Sequence, residues 1–111
     1  MLKKNNVLFL VAHPDDELLG CGGAIMHHLN KKDNVSVITL SDGESSRYLN
    51  ESKIKLKKIE QRKKQFIQVM NKLKINNFFN GNFPDNQFDK VSLLEITKYI
   101  EKISKSFSPN I

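Results

Sequence analysis

The sequence predicts an α/β domain built around a mostly parallel sheet. Two short apolar runs rich in strand formers, Val7-Leu8-Phe9-Leu10-Val11 and Val35-Ser36-Val37-Ile38-Thr39-Leu40, are each followed by polar turn residues and then by an apolar pattern at helical spacing. The first run is continuous rather than alternating, as expected for a strand covered on both faces of a parallel sheet. With 111 residues, the chain has room for one domain at most.

The first strand is expected over Val7 to Val11 and to stop at His13-Pro14-Asp15-Asp16. Proline disfavours helix in the residue before it and suits a first helical turn, so a helix should begin near Asp15 or Asp16 and run to about Asn30. Its apolar contributions are Leu18, Leu19, Ile25, Met26 and Leu29, and Lys31-Lys32-Asp33-Asn34 is a polar turn. The second strand, Val35 to Leu40, is β-branched and apolar, and Ser41-Asp42-Gly43-Glu44-Ser45-Ser46 is a loop at its carboxyl end. A second helix follows from about Ser52 to Lys74, with Ile59, Phe66, Met70 and Leu73 as its buried stripe and lysines on its other sides. Asn76 to Phe88 is polar and glycine-bearing, with a short strand at Phe78-Phe79 and a loop at Phe83-Pro84-Asp85-Asn86. A third helix carries the stripe Leu93, Ile96, Ile100, Ile103 and Phe107. Ser108-Pro109-Asn110-Ile111 then reads as the approach to a further strand of an alternating α/β sheet, which makes residues 1–111 the N-terminal portion of a single domain.

Hydrophobic residues at 39% and charged residues at 27% are near the globular average, so the chain can bury a core. The longest apolar run, Val7 to Ala12, is far short of the roughly 20 residues of a membrane-spanning helix, and no signal-peptide core is present, so a cytoplasmic location is expected. Cys21 is the only cysteine, which excludes an internal disulfide and a thiolate zinc cluster. The net charge of +6 and the cluster Lys53, Lys55, Lys57, Lys58, Arg62, Lys63 and Lys64 raise the question of a basic nucleic-acid-binding domain. Lysine is abundant throughout, however, arginine is limited to Arg47 and Arg62, and aromatics are not interleaved with the cluster. A solvated charged face and no nucleic-acid partner is the expectation.

His13, Asp15 and Asp16 fall at the carboxyl end of the first strand, where open α/β sheets bind ligands. One aspartate there is explained as a helix cap. Two adjacent carboxylates beside a histidine repel one another unless a cation or hydrogen bonds offset the charge, and a divalent metal would do so. By ligand chemistry the His13 imidazole and the Asp16 carboxylate suit zinc, leaving Asp15 as a general base for water attacking an amide or ester carbonyl. Spacing alone leaves this reading open beside a capping aspartate with a surface histidine.

Ala12-His13-Pro14-Asp15-Asp16-Glu17 directly after an apolar strand, followed by Leu19-Gly20-Cys21-Gly22-Gly23, resembles the opening signature of the PIG-L/LmbE-like deacetylases. The similarity extends through Ser41-Asp42-Gly43-Glu44, Arg62 and Phe83-Pro84-Asp85. The resemblance implies a Rossmann-like three-layer sandwich, truncated here at its C-terminal side. It also implies Zn2+ or another divalent metal, and removal of acetyl from an N-acetylated sugar of N-acetylglucosamine type in polysaccharide biosynthesis. It implies His13 and Asp16 as metal ligands, Asp15 as general base, and Asp85 and Arg62 as substrate contacts; Asp42 and Gly43 join the latter by their strand-end position. A homo-oligomer is compatible with all of this.

The chain departs from the family pattern in two places. Gln65 stands where the family carries a glutamate one turn after its helix arginine. The family's third metal ligand, a histidine following a later strand, is absent from these residues. His27 and His28 lie roughly 11 residues into the first helix, about 16 Å along its axis, and are expected to be exposed rather than to replace it. Alone, then, the chain should bind metal weakly and turn over little or not at all. Gly20-Cys21-Gly22-Gly23 is misplaced for a dinucleotide fingerprint, whose glycines belong in the turn directly after the strand; here they should permit close packing or ligand approach. Cys21 is expected as a small buried filler. The alternative function is a non-catalytic sugar- or partner-binding remnant of the same fold.

Overall fold

The computed structural model describes residues 3–14, 16–42, 53–83, 88 and 91–111. Strand β1 (Asn6–Val11) leads through helix α1 (Asp16–Asn30) to β2 (Asn34–Ser41), then through α2 (Lys53–Lys72) to β3 (Asn77–Phe83) and α3 (Leu93–Phe107). The three strands form one parallel sheet in the order β1-β2-β3, with Val7 beside Val35, Phe9 beside Val37 and Val37 beside Phe78. The expected βαβ architecture is therefore present.

The core follows from strand alternation. Val35 and Val37, two residues apart and so on one face of β2, pack with Ile25 of α1, with Phe66 and Met70 of α2, and with Ile75. Ser36 and Ile38 point to the other face and are also fully buried, and Ile103 of α3 is buried. Each large aliphatic side chain so enclosed contributes about 1.5–3 kcal/mol. Helix α3 begins at Ser92, whose hydroxyl accepts from the Glu95 amide at 3.1 Å, and ends at Ser108 in the left-handed conformation, its N–H on the Ser104 carbonyl.

Beyond α3 the chain turns along the edge of β1 opposite β2. The Asn6 carbonyl accepts from the amides of Asn110 at 2.9 Å and Ile111 at 3.3 Å, and the Leu8 amide donates to the Ile111 carbonyl at 3.0 Å. Bonds from Ile111 to residues on both sides of Val7 are the parallel pattern. Residues 110–111 thus line the edge of β1 opposite β2.

Several expectations need correction. Leu18, Leu19 and Met26 are exposed, Leu19 at 86%. The face of α1 against the sheet is Cys21, Ile25 and Leu29, at four-residue steps, and Leu19 and Met26 lie too far around the helix to join it. Gly20, Gly22 and Gly23 are not sites of close packing among the described residues, for a Cβ on any of them would meet no atom within 4 Å. Of the α2 stripe, Phe66 and Met70 are buried and Ile59 and Leu73 half-buried. Strand β3 is longer than Phe78-Phe79, because Asn80, Gly81 and Asn82 are poor strand formers that nonetheless belong to the strand beside β2. His27 is exposed as expected, but His28 is half-buried.

Candidate metal and substrate site at the carboxyl end of β1

Each strand runs toward the same edge of a parallel sheet, so the carboxyl ends of β1, β2 and β3 lie together there. The Ser41 amide donates to the Ala12 carbonyl at 2.8 Å, and the Asp42 amide to the Phe83 carbonyl at 3.3 Å, which ties the three strand ends into one row. The order of the elements singles out β1 within that row. β2 and β3 succeed it on one side, whereas residues 110–111, reached through α3, lie on the other. A strand where the winding reverses opens a crevice at its carboxyl end, the usual ligand position in such sheets.

His13 and Asp16 stand at the carboxyl end of β1. Pro14 is buried and helix cannot begin before it, so the chain makes a tight turn in which the Asp16 amide donates to the His13 carbonyl at 3.2 Å. One carboxylate oxygen, Asp16 Oδ2, accepts from the His13 backbone amide at 3.0 Å and lies 3.1 Å from His13 Nδ1. Both side chains remain partly open to solvent, at 35% and 44%. The backbone bond fixes the carboxylate, and the carboxylate in turn faces the ring nitrogen.

Two atoms each about 2.1 Å from a tetrahedral zinc ion lie about 3.4 Å apart. The 3.1 Å separation of His13 Nδ1 and Asp16 Oδ2 is close to that spacing, so an imidazole and a carboxylate fit as neighbouring ligands of one divalent ion. Among the described residues no group of three or more His, Cys, Asp or Glu side chains surrounds a common point. Of the other sequence-predicted site residues, Asp42 is half-buried in the same row and Arg62 is half-buried on α2. Asp15, Gly43 and Asp85 lie outside the described residues.

A family model for the GlcNAc-PI de-N-acetylases matches residues 8–111. The chain belongs to the PIG-L family. Over 45 residues, 40% of its length, this PIG-L chain is 42% identical to the 1D-myo-inositol 2-acetamido-2-deoxy-alpha-D-glucopyranoside deacetylase of Mycobacterium sp. (strain KMS). The same identity holds against the enzyme of that name from Mycolicibacterium smegmatis (strain ATCC 700084 / mc(2)155). Those matches span 15% and 16% of the relatives' own length. Among solved structures, the N,N'-diacetylchitobiose deacetylase from Pyrococcus horikoshii superposes with a TM-score of 0.77 at 24% identity, over 94% of this chain and 38% of that one. GalB, the 4-carboxy-2-hydroxymuconate hydratase from Pseudomonas putida KT2440, superposes with a TM-score of 0.68 at 18% identity, over 96% and 45%. At such identities the likeness is one of fold, and the hydratase shows that this PIG-L fold carries more than one reaction. No helix among the described residues is long and apolar enough to cross a membrane.

Sequence reasoning finds the His13–Asp16 pair but not Thr39, Asn80 and Gly81, which join β2 to β3 beside it. The available signal is Gly81, because an isolated glycine in a strand pattern marks a bulge or a close backbone approach.

Proposed function

We propose that this PIG-L protein is a metal-dependent hydrolase that removes the acetyl group from an N-acetylated sugar of N-acetylglucosamine type. The observation that carries the reading is the convergence of His13 Nδ1 and Asp16 Oδ2, 3.1 Å apart, at the carboxyl end of the strand where the sheet's winding reverses. Support for amide hydrolysis in particular comes from the family match and from deacetylase relatives.

His13 and Asp16 would hold the ion, with a third protein donor completing the set. A divalent cation such as Zn2+ brings the pKa of a bound water toward about 7 and polarises a carbonyl. Asp15, adjacent to the ligand pair in sequence, is the general base that takes the proton from the attacking water. Asp42 and Gly43 at the end of β2, Arg62 on α2 and Asp85 after β3 contact the sugar. On the same likeness we place the reaction in polysaccharide biosynthesis, and a cytoplasmic location is carried over from the sequence expectation.

The test is acetate release from N-acetylglucosamine conjugates by the full-length protein, with zinc, with chelator, and with Asp15→Asn. Release that needs the metal and falls by about 10²-fold or more in Asp15→Asn is expected. Undiminished release under chelation, or in Asp15→Asn, would overturn the mechanism.

A further inference from the structure

We infer that Asn80 and Gly81 of β3 are positioning residues for the Ser41–Asp42 segment at the rim of the site. The inference deepens the proposed function and rests on its assignment of Asp42 to substrate contact.

The register between β2 and β3 breaks just before the site. Thr39 lies beside Asn80, but Ser41 lies beside Phe83, so the single residue Leu40 faces two residues, Gly81 and Asn82. An extra residue of this kind bends its strand and re-aims the residues beyond it. Here the shift brings the Phe83 carbonyl opposite Asp42, whose amide donates to it at 3.3 Å. The backbone that carries the Asp42 side chain is thereby set by the bulge in its neighbour.

Two adjacent side-chain choices make the bulge possible. A Cβ at buried Gly81 would lie 2.7 Å from the Leu40 carbonyl oxygen and 3.2 Å from that of Thr39. Both are backbone atoms, so any side chain there pushes β2 away at its last residues. Asn80 spans the same irregularity. Its amide is 2.9 Å from Thr39 Oγ1, 2.9 Å from the Gly81 carbonyl and 3.2 Å from the Ser41 carbonyl. Carbonyls can only accept, so the Asn80 nitrogen faces them and donates. Thr39 and Ser41 are fully buried, and bulk water does not substitute for these bonds. Neither asparagine nor glycine is a residue that an ordinary strand favours, and both are explained by the shape of this turn in the ladder. Besides the local bond to the Gly81 carbonyl, the bonds of Asn80 and the close approach of Gly81 run to the end of β2, on the Asp42 side of the site. Their effect therefore falls first on Asp42, and so on placing the sugar, while the metal pair is reached only through the Ser41–Ala12 hydrogen bond.

The experiment uses the full-length protein and the variants Asn80→Ala and Gly81→Ala. KM for an N-acetylglucosamine conjugate should rise about tenfold in each, with kcat within about threefold and zinc affinity as in the unmodified protein. In parallel, hydrogen exchange at the Asp42 amide should accelerate in both variants while that of Val37, deeper in β2, stays slow. Should Gly81→Ala fail to fold, Asn80→Ala carries both readouts. Unchanged KM together with unchanged Asp42 exchange overturns the inference, as does a loss of kcat that simply tracks a fall in Tm. A protein with no deacetylase activity would remove the proposed function, and the Asp42 exchange would still decide whether Asn80 and Gly81 set this segment.

Discussion

His28 Nδ1 lies 2.8 Å from Asp33 Oδ2, across the turn that joins α1 to β2. The other carboxylate oxygen of Asp33 accepts from the Asn5 amide at 3.0 Å, and the Asn34 amide donates to the Asn5 carbonyl at 2.8 Å. A turn that composition marks as merely polar is thus a junction of α1, β2 and the start of β1 around buried Asp33, with the rings of Phe9 and His28 packed edge-to-face.

That junction predicts a specific acid response. The Asn5 amide first, and the His28 hydrogen bond second, hold the Asp33 carboxyl below its ordinary value of 3.8, against the opposing effect of burial. A carboxylate whose pKa is depressed on folding stabilises the fold fully above its unfolded value, and that contribution disappears as pH falls through the folded one. Asp33→Asn should lower Tm near neutrality and show a shallower decline than the parent chain as pH falls below 3.8, followed by thermal melts at successively lower pH. Equal slopes for the two proteins would remove Asp33 from the acid transition.

Met70 and Leu19 separate core from surface among residues of similar hydrophobicity. Met70 is fully buried between α1, α2 and β2, whereas Leu19 is 86% exposed. Met70→Ala should cost about 2–5 kcal/mol in urea unfolding. Leu19→Ala should stay within about 0.5 kcal/mol.

The contrast also marks how far the sequence reaches. Val35, Val37, Phe66 and Met70 are legible because strand and helix periods assign them to inner faces without knowledge of the partner. Leu19 is not, since the direction a helix turns toward a sheet depends on the crossover that docks it. His28 reads as exposed because its partner, Asp33, comes within reach only once the α1–β2 turn closes. The His13–Asp16 pair is legible from chemistry at a strand end, whereas β3 reads short because its Asn80 and Gly81 serve the bulge rather than strand propensity.

Gly23 sits inside α1 with no described atom within 4 Å of where a Cβ would go. Glycine within a helix is less stable than alanine by roughly 0.5–1 kcal/mol. Gly23→Ala should therefore raise the stability of this chain by about that amount, measured by urea unfolding. A loss of stability would mean that a neighbour occupies the space after all.

Asp16 has two duties that one substitution can separate. Its Oδ2 accepts from the His13 amide and faces the His13 ring. Asp16→Asn keeps an oxygen acceptor for the backbone amide but loses the anionic donor that suits a divalent ion. In the full-length protein, zinc affinity measured by competition with a chromophoric chelator should fall by at least about 10²-fold in Asp16→Asn and in His13→Ala, with Tm of the metal-free protein little changed in Asp16→Asn. His27→Ala, at the far end of α1, should leave the affinity unaltered. Residues 1–111 alone, with His13 and Asp16 as the two proposed donors, should hold zinc weakly, because a catalytic zinc site ordinarily takes three. Tight binding that survives the loss of His13 or Asp16 would move the metal away from the end of β1, and the assignment of Asp15 as base would go with it.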